Sequence, residues 1–122
     1  MRVLSNFKIC RILALGWMFL IFWLSSIPKL PGPFLFYGQD KLAHAFVFGI
    51  LAFLFARSFR PQKGDVPFMR VLLITLMVTV YGCFDEMHQL FVPGRDMSVG
   101  DITADAAGGF IVAFILWKRQ FL

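Results

Sequence analysis

A chain of 122 residues, 59% hydrophobic and only 16% charged, fits one domain but is too apolar for a soluble fold of its size. So small an interior cannot hide 16 Phe and 3 Trp with the accompanying Leu and Ile, whereas lipid can solvate them. The formal charge of +5 forms no separate basic arm: Lys and Arg stand beside apolar runs, which argues against a nucleic-acid partner and for membrane-flanking charge. Cys10 and Cys83 also lie in or next to such runs and read as two buried thiols rather than a disulfide.

The first apolar segment runs from Ile12 to Ile27, behind Arg2, Lys8 and Arg11. It has the layout of a signal peptide, but Ser25-Ser26-Ile27-Pro28 offers no small-x-small cleavage site and further spans follow, so it is expected to stay in place. Pro28, Pro31, Gly32 and Pro33 end it. The second segment, Leu42 to Ala56, is closed by Pro61, Gly64 and Pro67. The third, Val71 to Phe91, stops at Pro93-Gly94, and the fourth covers Ile102 to Trp117. A full span needs about 20 residues, so the second and fourth are short unless their polar first turns also enter the bilayer. The expected fold is therefore all-α: residues 1–122 form one transmembrane domain of four membrane-spanning helices.

Basic residues set the expected orientation. Arg2, Lys8 and Arg11 precede the first span, Arg57, Arg60, Lys63 and Arg70 lie between the second and third, and Lys118 and Arg119 follow the fourth. Four spans put all nine on one side, against Lys29, Lys41 and Arg95 on the other, which predicts both termini in the cytoplasm. The acids show the opposite bias. Asp40, Asp85, Glu86, Asp96, Asp101 and Asp105 fall at the outer ends of spans with His44 and His88, and only Asp65 is on the basic side.

Helical rise converts this bias into depth. At about 1.5 Å per residue, His44 lies about 20 Å above Arg57, Asp85 about 23 Å above Arg70, and Asp105 about 20 Å above Lys118. Three segments thus deliver polar groups to one layer just inside the edge of a hydrocarbon core about 30 Å thick. Asp40 and His44, Tyr81 and Asp85, Asp85 and Gln89, and Asp101 and Asp105 are spaced i,i+4, and Asp85 and His88 i,i+3, so each pair can share a face. An ionisable group at mid-membrane costs about 2.5–3.5 kcal/mol, less near the interface, and is tolerated when it points inward. Gly108-Gly109 would let the fourth helix pack closely on a neighbour.

Taken singly, most of these residues have ordinary explanations. Asp40-Lys41 reads as a cap and interfacial anchor, His44 as an interhelical hydrogen-bond partner, Arg95 as a loop cation near headgroups and Asp101 as a first-turn acid favoured by the helix dipole. Ser25 and Ser26 read as a helix end rather than nucleophiles. Asp85-Glu86 with His88-Gln89, inside an apolar run, has no such account, and the whole set is better read as a functional cluster.

The ordered set Asp40-Lys41-x-x-His44, Tyr81-Gly82-x-x-Asp85-Glu86-x-His88-Gln89-x-Phe91-x-Pro93-Gly94-Arg95 and Ser98-x-x-Asp101-x-x-x-Asp105-x-x-Gly108 resembles the VanZ-like family, from about Ser25 to Gly109. The resemblance implies a multi-pass protein of the bacterial cytoplasmic (inner) membrane and cell envelope. The name-giving member of that family is linked to resistance to the glycopeptide antibiotic teicoplanin. Many relatives carry Asn where this chain has Asp105.

Three functions suit the cluster. In the first, favoured slightly, an extracytoplasmic pocket binds, and can act on, an anionic lipid-linked or envelope-derived compound. Arg95 and Lys41 hold the anion, with Tyr81, Gln89 and Asp40 alongside. Asp85, Glu86 and Asp101 serve as acid and base, with His44 and His88 moving protons. The cofactor such a site would take is a divalent metal on Asp85, Glu86, Asp101 and Asp105: oxygen donors suit Mg or Mn, and the two His keep Zn open. In the second, the charges form a structural network in a non-catalytic factor that meets membrane lipid, a glycopeptide or a partner protein. In the third, ranked last because no polar groups line the inner half of the spans, the acids relay protons for transport.

Overall fold

The computed structural model describes residues 6–28, 33 and 35–119; Arg2, Lys29, Pro31 and Gly32, used above, lie outside them. Four helices account for most of it: α1 (Phe7–Ser26), α2 (Gln39–Ser58), α3 (Pro67–Gln89) and α4 (Val99–Lys118). No strand occurs among the described residues. Each helix is long and apolar enough to cross a membrane.

Every helix includes polar turns that hydropathy alone leaves out. α2 begins at Gln39 rather than Leu42 and α4 at Val99 rather than Ile102, so both reach 20 residues, about 30 Å at helical rise. The expected shortness of these two segments is removed by their own first turns, where Asp40, Lys41 and Asp101 stand. α1 starts five residues before Ile12, at Phe7, because the Asn6 side chain accepts from Lys8 N and Ile9 N and caps the helix. α3 starts at Pro67, whose fixed φ and missing N–H suit a first turn.

The helices run alternately up and down. Arg11 donates to Ser58 O across the α1 start and the α2 end, and Phe68 packs on Trp117 across the α3 start and the α4 end. At the opposite end of the bundle, Lys41 meets Asp101 and Ser26 meets His88. Lys8, Arg11, Lys118, Arg119 and the basic groups of the α2–α3 loop therefore share one end, and the acid-rich cluster occupies the other.

α2 is the most buried helix, with α4 against it and against α3, and with α1 on its remaining flank. Phe48, Leu51, Val71, Ile74, Val78 and Ala113 form the centre of the core. Two glycines draw α4 inward: a Cβ on Gly108 would fall onto the backbone of Ala45, and one on Gly109 would press on Val78. Gly108 thus brings α4 against α2 one residue from His44 and three from Asp105. Outward, Ile12, Leu15, Phe19 and Trp23 of α1, Phe46 of α2, Leu73 and Leu76 of α3 and Ile111 of α4 are exposed. An apolar belt this broad suits lipid, not water.

Candidate functional site

The cluster divides into a network between α2 and α4 and a cavity between α1, α2 and α3. The network begins with Asp105, 0% exposed, whose Oδ1 meets His44 Nδ1 at 2.8 Å. Such proximity requires a bare backbone opposite: a Cβ on Gly82 of α3 would collide with the Asp105 carboxylate. The other His44 nitrogen, Nε2, faces Asp101 Oδ2 at 3.5 Å. Asp101 Oδ1 takes the Lys41 ammonium at 2.5 Å, and Lys41 also reaches Asp40 at 2.9 Å and Ser98 Oγ at 3.4 Å. Gly100 supplies the space through which the Lys41 stem passes.

Glu86, also 0% exposed, closes the network from α3. The Ser98 hydroxyl caps α4 by accepting from Asp101 N at 3.3 Å. In a capping box the acid at the third helical position would return to the cap residue's own N–H. Asp101 holds that position but is turned to Lys41 and His44, and Glu86 Oε2 takes the Ser98 N–H instead, at 2.9 Å. A helix cap is thus completed by another helix, which fixes the α4 start on α3. Glu86 Oε1 and Asp105 Oδ2 are buried without hydrogen-bond partners among the described residues.

The cavity holds about 350 Å³. Ile21, Leu24, Val47 and Phe48 supply its apolar wall, and Ser25, Asp40, His44, Asp85, Gln89 and Arg95 its polar lining. Asp85 is 4% exposed; its Oδ2 accepts from Gln89 Nε2 at 3.3 Å, while Oδ1 has no hydrogen-bond partner among the described residues. Arg95 is placed by the turn after α3, where Gly94 takes φ 76° and Arg95 N bonds Val92 O. Its Nε donates to Ile27 O at 3.1 Å and its Nη2 to Leu24 O at 3.4 Å, so it caps the α1 end with two of a guanidinium's five donors.

Of the expected site residues, the structure gathers Asp40, Lys41, His44, Asp85, Glu86, Gln89, Arg95, Asp101 and Asp105 at one end of the bundle. It sets two apart. His88 stacks on Phe22 at 4.4 Å and shares a 2.8 Å hydrogen bond with Ser26 Oγ, tying α3 to α1. Tyr81 donates to Met18 O at 2.5 Å, again a tie to α1. The four carboxylates expected to share a metal are not the group that converges: one ligand atom each from His44, Glu86 and Asp101 lie within 4.8 Å of one another. Two serines do more than the sequence suggests, Ser25 read there as a helix end and Ser98 only as part of the family motif. Ser26 does end α1, but Ser25 is buried in the cavity wall facing Asp85. The Ser98-x-x-Asp101 spacing was the available signal for the cap.

No curated protein and no solved structure is similar enough to this chain to match it. A family model, VanZ/LLP1, does match, over residues 7–121, nearly the whole chain. This four-helix membrane protein belongs to the VanZ family.

Proposed function

We propose that the protein binds an anionic, lipid-linked compound of the bacterial cell envelope in the cavity between α1, α2 and α3, on the extracytoplasmic side of the cytoplasmic membrane. One observation carries this reading: an apolar wall leads to a polar end where Arg95, Asp85 and Ser25 are not absorbed into the α2–α4 network. An acyl or prenyl chain suits Ile21, Leu24 and Val47, and the Arg95 guanidinium suits a phosphate or carboxylate. Asp85 Oδ1 suits a hydroxyl or amine proton of the same compound, and is the atom placed to serve as a general base if the compound is also transformed. Lys41, engaged by Asp101 and Asp40, is a network residue rather than an anion holder. The excess of Lys and Arg at the other end supports the orientation, and VanZ membership supports a link to glycopeptide action at the envelope.

The test is retention of a polyprenyl phosphate against the uncharged polyprenol by protein in nanodiscs, read by native mass spectrometry. Wild-type protein should prefer the phosphate and Arg95→Ala should lose that preference. Equal retention of both by wild type would refute the reading.

The mutual bonding of Lys41, His44, Asp101, Asp105 and Glu86 favours the non-catalytic alternative for that part of the cluster, with the charges specifying helix packing. Asp85→Asn separates the two. Lost ligand binding at normal membrane abundance supports the cavity, and lowered abundance with binding retained supports a purely structural role.

A further inference from the structure

The network contains a convergence that helix packing does not account for. His44 is oriented by Asp105 through Nδ1, which leaves Nε2 as the nitrogen turned toward Asp101. A carboxylate on one imidazole nitrogen, presenting the other to a cation, is how protein metal sites set the tautomer of a ligating His. Glu86 contributes the second element. Its Oε2 is occupied by the Ser98 N–H, while Oε1 is fully buried with no partner among the described residues. Asp101 contributes the third: Lys41 holds Oδ1, and Oδ2 faces His44.

Spacing agrees. Three ligand atoms at about 2.0–2.2 Å from one ion lie about 3.3–3.8 Å apart in tetrahedral or trigonal geometry. His44 Nε2 and Asp101 Oδ2 are already 3.5 Å apart, and one ligand atom each from His44, Glu86 and Asp101 lies within 4.8 Å of the others, so side-chain movement of about an ångström closes the site. Glu86 and Asp105 are fully buried carboxylates, and Lys41 is the Lys or Arg hydrogen-bonded to the network among the described residues, so a bound cation would offset charge that burial makes costly.

We propose that His44, Glu86 and Asp101 bind one divalent transition-metal ion, with Asp105 orienting His44 and Lys41 steadying Asp101. One imidazole and two carboxylates suit Zn²⁺ or Mn²⁺ better than a soft, thiolate-seeking ion. Three protein ligands leave a coordination position open, as catalytic zinc sites do. The assignment does not depend on what the cavity binds.

The test uses tag-free full-length protein in detergent, stripped with chelator and titrated with Zn²⁺ by calorimetry, with retained metal measured after gel filtration. Wild type should hold about one ion per chain, as a site with three protein ligands requires. Glu86→Gln should hold none while eluting as the wild type does, because the Gln carbonyl can still accept from Ser98 N. Asp105→Asn should bind at least roughly tenfold more weakly, the loss typical for a group that orients a ligand. Asp65→Asn, at the other end of the bundle, should bind as wild type does. Co²⁺ loading of the unaltered protein gives a readout independent of any variant: a visible d–d band is expected, and it should vanish on adding Zn²⁺. Absence of binding by wild type, or equal binding by Glu86→Gln, would overturn the assignment. Loss in Asp85→Asn with retention in Glu86→Gln would overturn the ligand set.

Discussion

The α2–α4 network and the α1–α3 side of the cavity lie in one polar layer, yet they are built on opposite plans. In the network the charged side chains engage one another: Lys41 with Asp101, His44 with Asp105, Glu86 with the Ser98 N–H. Glycines at 82, 100 and 108 remove the Cβ atoms that would hold those partners apart. On the cavity side Asp85 keeps one buried oxygen without a hydrogen-bond partner among the described residues, and Ser25 lines the same cavity. A family label covers both halves equally, whereas the geometry separates side chains that tie the helices to one another from side chains that line open volume.

Substitutions can break this contrast. The largest loss of stability is expected for His44→Ala, which leaves Asp105 buried beside Gly82 without its hydrogen-bond partner; stripping a buried charged group of its partner costs about 3 kcal/mol or more. Thermal unfolding in detergent, followed by fluorescence-detected gel filtration, would show it. Gly108→Ala should follow, at about 1–3 kcal/mol, because its Cβ meets the Ala45 backbone rather than a movable side chain. The same assay, with Gly16→Ala as the comparison in open space, isolates the packing effect. Ser98→Ala removes the α4 cap, a loss of about 1 kcal/mol, and should loosen the first turn of α4 in hydrogen exchange. Asp85→Asn should change stability least, by less than about 1 kcal/mol, since an Asn oxygen can still accept from Gln89. That variant should nonetheless lose ligand retention. If it instead unfolds as readily as His44→Ala, the two halves are one structural unit.

Much of the fold was legible because lipid imposes a simple rule: long apolar runs bounded by Pro, Gly and basic residues become spans. The runs located the helices but not their ends. Gln39-Asp40-Lys41 and Val99-Gly100-Asp101 are polar and still helical, since a first turn near the interface can carry charges that a mid-span turn cannot. The i,i+4 spacings of Asp40 with His44 and Asp101 with Asp105 expressed which side chains share a face. They could not express which neighbour that face meets, and so left open that His44 turns to Asp105, that Lys41 reaches Asp101, or that Glu86 rather than Asp101 completes the Ser98 cap. His88 and Tyr81 illustrate the limit: both flank Asp85 at helical spacing, and both are drawn away to α1, whose path along α3 is set by packing and not by local pattern.

The way α1 is fastened has a practical consequence. Tyr81 and Arg95 grip main-chain oxygens of Met18, Leu24 and Ile27, atoms every amino acid possesses. These hydrogen bonds do not depend on the side chains of those three residues, whereas they do depend on Tyr81 and Arg95. Leu24, which also borders the cavity, is accordingly the position at which a cysteine-linked fluorophore or spin probe can report on occupancy without unfastening the helix that carries it.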